Sequence, residues 1–76
     1  MFIVIKNQAE KSFNSRLEAL KRSYQFSIVK SDSEENSEVF YLKLGEAEDL
    51  LTSFAQDAKF GFGNHLFIER ISKIPD

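Results

Sequence analysis

Hydrophobic positions along this chain alternate between strand-like and helix-like periods. Phe2-Ile3-Val4-Ile5 is a short continuous apolar run closed by Lys6. That is the pattern of a strand buried on both faces, and so central in its sheet. Ala9, Phe13, Leu17, Leu20 and Tyr24 then recur every three or four residues, which makes one apolar stripe on a helix. Asn7, with Glu10 three residues on, has the spacing of a capping box, and the pattern predicts a helix over 8–23. From Gln25 to Lys30 the chain alternates, with Phe26 and Ile28 on one face. The run from Ser31 to Glu38 is wholly polar and reads as a hairpin loop. Val39 to Leu44 alternates again, with Phe40, Leu42 and Leu44 on one side and Val39, Tyr41 and Lys43 on the other. After Gly45, the acids Glu46, Glu48 and Asp49 suit the first turn of a second helix. Its stripe is Ala47, Leu50, Leu51, Phe54, Ala55 and Ala58, and Gly61 suits its left-handed cap. Residues 65–74 form a last strand, ended by Pro75.

The order is βαββαβ. Each helix has one apolar stripe and must cover something, and right-handed crossovers would place both helices on one side of a single sheet. The expectation is an α+β, ferredoxin-like two-layer sandwich. It has a four-stranded antiparallel sheet of order 4-1-3-2 with two helices on one face, spanning residues 1–76 as one domain. The other sheet face is left open. Val39, Tyr41 and Lys43 point to it, joined by Phe2 and Val4 or by Ile3 and Ile5, and by Phe67 and Ile71 of the last strand. An exposed apolar patch of this kind marks an interface.

Composition narrows the picture. The 76 residues include no cysteine, which excludes disulfides, thiolate metal sites and thiol catalysis and fits a reducing, cytoplasmic setting. A core of this size is marginal without a staple, so association through the apolar face is expected. The apolar start is too short for a signal peptide or a membrane span. Net charge is −2 but unevenly spread. Lys6, Lys11, Arg16, Lys21, Arg22 and Lys30 outweigh Glu10 and Glu18 in the first thirty residues, and acids dominate the rest. A chain-wide basic signature for nucleic acid is not present, although the first helix carries a local basic face.

Candidate chemistry is thin. Asp32, Glu34, Glu35 and Glu38 lie close together in the polar run and would suit a basic partner. They lack the regular spacing and the glycine of an EF-hand loop. His65 is the single histidine, and no second imidazole or regular carboxylate spacing accompanies it as a metal set. No nucleophile elbow or phosphate-binding glycine loop is present. The reading is therefore non-catalytic, with no cofactor and no metal.

Two resemblances bear on function. Lys59-Phe60-Gly61-Phe62-Gly63 resembles the aromatic core of an RNA-recognition motif. In that family the motif lies on the third strand, where rings stack on bases, whereas here it falls between the second helix and the last strand. A glycine-rich helix stop explains it more simply. Phe2 to Lys6 and Val39 to Leu44 look like the first and third strands of subtilisin-propeptide inhibitors. This resemblance implies the same element order and an open sheet face set against a protease. It carries over no site residue.

The sequence thus points to a small protein-binding module of regulator or inhibitor type. Phe2, Val4, Val39, Tyr41, Lys43 and Phe67 would meet a second copy or another protein, with Asp32, Glu34, Glu35 and Glu38 as a secondary contact. The alternatives are a nucleic-acid binder using the basic first helix or the sheet face, and a small enzyme with a site at a dimer cleft.

Overall fold

The computed structural model describes residues 2–45, 52, 54, 56 and 63–75. Four strands and one helix are delimited: β1 (Phe2–Asn7), α1 (Asn14–Leu20), β2 (Phe26–Glu34), β3 (Ser37–Leu44) and β4 (Leu66–Ile71). A single 3-10 turn, Gly63–His65, leads into β4. The strands make one sheet in the order β2-β3-β1-β4, with every neighbouring pair antiparallel. Read from the other edge, this is the expected 4-1-3-2.

The helical layer differs from expectation. The delimited helix is one short element of seven residues, and the ferredoxin-like sandwich with two helices is corrected to a four-stranded antiparallel sheet carrying one short helix. Beyond α1, helical backbone is described at Thr52, Phe54 and Gln56. The rest of the expected second stripe, the Gly61 cap and most of the Phe60–Gly63 motif lie outside the described residues.

Why α1 starts at Asn14 rather than at residue 8 is visible in its hydrogen bonds. Asn7 is not a helix cap. It is the last residue of β1, faces the core side, and is 1% exposed. Its Oδ1 accepts the N–H of Ala9 (3.0 Å) and its Nδ2 donates to the Lys11 carbonyl (2.9 Å), folding residues 7–11 into a turn. The second Nδ2 proton goes to Glu38 Oε1 on β3 (2.8 Å). That same oxygen accepts the N–H of Phe13 (3.0 Å), and Glu38 Oε2 accepts the Ser12 hydroxyl (3.1 Å). Ser12 Oγ in turn accepts the N–H of Asn14 (3.2 Å). A strand carboxylate and a serine thus serve the donors at the helix start, the task a local capping box would have done. The other end of α1 closes by tight bonds from Arg22 to Ala19 and from Ser23 to Leu20.

The apolar pattern itself is kept. Ile3 and Ile5 of β1, Phe40, Leu42 and Leu44 of β3, Leu66 of β4, and Phe13, Leu17 and Leu20 form the core with Phe54. Ala9 and Tyr24, the two ends of the expected stripe, pack against its margin. Among the described residues, three tilted or edge-on ring pairs link this core. Phe13 lies 6.4 Å from Phe40 and 6.0 Å from Phe54, and Phe54 lies 6.4 Å from Phe26. These are favourable aromatic geometries.

The polar run after Lys30 is not a loop. β2 continues through it to Glu34, and Glu35-Asn36 make the tight turn to Ser37. Asn36 takes the left-handed backbone region at φ 66°, which asparagine tolerates better than most residues. Serines and acids form strand here because β3 supplies the ladder partner, and neither face of this end of the sheet needs to be apolar.

Asn7 is the one buried polar side chain among the described residues, and losing it removes one of the three donors that hold the Glu38 carboxylate. Asn7→Ala and Glu38→Ala should each cost about 1–3 kcal/mol, non-additively in the double variant. Urea denaturation of the three variants checks this, and equal, additive losses would show the two residues to be independent.

Candidate functional site: the open sheet face

The face opposite the core is built by cross-strand rows. Register places Phe67, Lys6, Val39 and Asp32 in one row across β4, β1, β3 and β2. The next row is Glu69, Val4, Tyr41 and Lys30, and the third is Ile71, Phe2, Lys43 and Ser27. β1 resolves its two options in favour of Phe2 and Val4 outward, with Ile3 and Ile5 fully buried. All six residues expected on this face, Phe2, Val4, Val39, Tyr41, Lys43 and Phe67, are therefore neighbours on it.

Lys30 reaches this face through an irregularity. Strict alternation from Phe26 and Ile28 would point Lys30 into the core. The register shifts between Ile28 and Lys30, where Val29 is the extra residue. Such a bulge resets which side the following residues face. It sends Lys30 to the open face, where its Nζ sits 5.5 Å from the Tyr41 ring centroid and 3.8 Å from Asp32 Oδ2. The signal in the sequence was the charge that alternation would have buried.

A shallow concavity of about 530 Å³ occupies the first two rows, lined by Val4, Lys6, Val39, Tyr41, Phe67 and Glu69, with Glu34 and Ile68 at its margin. Val39 forms its floor, only 5% exposed although it lies outside the core cluster. Phe67 stands on its wall at 52% exposed, one of the two large exposed hydrophobic residues among the described ones. Lys6 Nζ pairs with Glu34 Oε2 at 3.3 Å across the rim. Charges on the strand residues of this face are balanced. Lys6, Lys30 and Lys43 stand against Asp32, Glu34 and Glu69.

The acidic group is dispersed by the hairpin. Asp32 and Glu34 lie on β2 beside Lys30 and Lys6, Glu35 is at the exposed turn, and Glu38 is on the core side holding α1. Glu38 is thus occupied by the fold. Among the described residues no group of three or more metal-ligating side chains is found. His65 is exposed, and its carbonyl accepts the N–H of Gln8 (2.7 Å), tying the 3-10 turn to the loop after β1. It lines none of the three concavities described for this chain. On α1 and just after it, Lys21 approaches Glu18 at 4.0 Å. No helix among the described residues is long and apolar enough to cross a membrane.

Comparison with protein-family models, with curated proteins and with solved structures finds no match.

The Lys6–Glu34 pair spans the rim with both side chains substantially exposed, at 40% and 58%. Exposed pairs contribute little, so Lys6→Ala and Glu34→Ala should each shift stability by less than about 1 kcal/mol. Thermal unfolding at low and high salt checks this, and a larger loss would mean that the pair shields Val39 as well as bridging the rim.

Proposed function

We propose that this chain is a small protein-binding module and that the open sheet face is its docking surface. The observation that carries the reading is the concavity over Val39, walled by the half-exposed Phe67 and by Tyr41 and Val4. An aromatic and aliphatic depression with a polar rim is the anatomy of a protein interface centre, where an apolar side chain of the partner is desolvated. The balanced charge of the face favours a protein over a nucleic acid, because phosphate binding draws on a surplus of lysine and arginine. A second copy of the chain is the simplest partner to test, since an isologous contact needs only a self-complementary patch. The cysteine-free composition suits a reducing compartment such as the cytoplasm.

A photo-reactive phenylalanine analogue at position 67 tests this in the native host. Crosslinks from position 67, to the chain itself or to one other protein, are expected, and a control at Glu35 on the hairpin tip should not give them. Identical products from both positions would overturn the reading. Sedimentation of the purified chain separates the two partners. If the contact is with itself, Phe67→Glu and Tyr41→Glu should each weaken association by about tenfold or more, the scale of an interface anchor, with the far-ultraviolet circular dichroism unchanged.

A further inference from the structure

Residues 72–75 follow the last strand and reach the far side of the sheet by one bond. β4 ends at Ile71 on one edge of the sheet, and β2 is the opposite edge. Yet the Pro75 carbonyl accepts a hydrogen bond from Lys30 Nζ of β2 at 3.3 Å. Neighbouring strands are about 4.8 Å apart, so three spacings are roughly 14 Å, and four extended residues reach roughly 13 Å. Lys30 leans over the Tyr41 ring on the open side. The chain after β4 therefore turns away from its own edge and back toward β3 and β2, on the open side where Lys30 lies, to meet it. Ile74 is half-buried on this path, whereas Ser72, Lys73 and Pro75 are exposed. The segment has no strand pairing, and among the described residues one side-chain hook meets it at its far end. The concavity lies on the rows of Phe67 and Val4 and is lined by none of residues 72–75.

We infer that residues 72–75 are a built-in occupant of the docking surface, a strap hooked by Lys30 that covers the Tyr41 side of the face and that a partner displaces. The inference rests on the reading of this face as a docking surface. It also assigns the partner's chemistry: an extended segment that presents an aliphatic side chain in place of Ile74 and a backbone carbonyl to Lys30. The bulge at Val29 then has a use, because without it Lys30 would face the core and hook nothing. A surface whose binding-competent form is only a fraction of the population binds more weakly by that fraction, so the strap sets the apparent affinity.

The strap is tested without any partner, in the full-length chain. In a Tyr24→Phe background, Tyr41 is the remaining tyrosine, and acrylamide quenching of its fluorescence reads its accessibility. Lys30→Met removes the hook and keeps the apolar stem, and Ile74→Asp removes the half-buried side chain. Each should raise the quenching constant by about twofold, as expected if the closed form predominates, with circular dichroism and melting temperature near those of the parent. Release should also raise crosslinking from position 67. Unchanged quenching in both variants overturns the strap, whatever the crosslinking shows. Raised quenching with no crosslink from position 67 supports the strap and counts against the docking reading instead. If Ile74→Asp alone fails to fold, Lys30→Met decides, since Lys30 lies on an edge strand outside the core.

Discussion

One carboxylate joins the sheet to the helix. Glu38 sits on β3 directly opposite Asn7 on β1, and its two oxygens take the Asn7 amide, the Phe13 N–H and the Ser12 hydroxyl. Asn7 spends its remaining groups on Ala9 and Lys11. The loop between β1 and α1 is thereby closed on both sides, and Phe13 is delivered to the core at the point where the helix begins. In a chain this short the buried area is small, and a misplaced helix would uncover Ile3, Ile5 and Leu42 together. A buried polar cluster is costly when half-satisfied and specifying when complete. Here no buried side-chain polar atom among the described residues lacks a partner.

That constraint is also what leaves the other face available. α1 and Phe54 pack on one side of the sheet, and among the described residues no delimited helix covers the outward residues of β1 and β3. Two devices limit the exposure. Lys6 pairs with Glu34 across the rim beside Val39, and the Pro75 carbonyl meets Lys30. Neither is strong in the energetic sense, since both involve exposed groups. Cover made of exposed groups is readily displaced. The bulge at Val29 and the charges of β2 guard one edge in addition.

Much of this architecture follows from periodicity. The alternation of Val39 to Leu44 and the stripe of Phe13, Leu17 and Leu20 predict their faces, whereas the apolar run of β1 left two options, which the structure resolves with Phe2 and Val4 outward. The strand order also follows, from chain connectivity and handedness. The errors have local causes. Asn7 and Glu10 have the spacing of a helix cap, but Asn7 lies on the inward side of β1, and burial there overrides the local option. Ser31 to Glu38 has the composition of a loop, but β3 provides a ladder for it, and pairing outweighs composition. The two-helix sandwich fails as a description because one short helix is delimited among the described residues, its start set by contacts from a strand 25 positions away in sequence.

The sequence alone determined which side chains are apolar and at what spacing. That is enough to sort core from surface, because removing apolar area from water is a property of each residue and of its period. It also settled that no thiol chemistry takes place in this chain. Only the tertiary structure decided what the polar residues do. Glu38 became a helix anchor rather than part of an acidic loop, Lys30 came to the open face through one extra residue in β2, and Pro75 met it from the opposite edge. Hydrogen bonds and ion pairs are short-ranged and directional, so their partners are set by distances that exist only after the strands have paired.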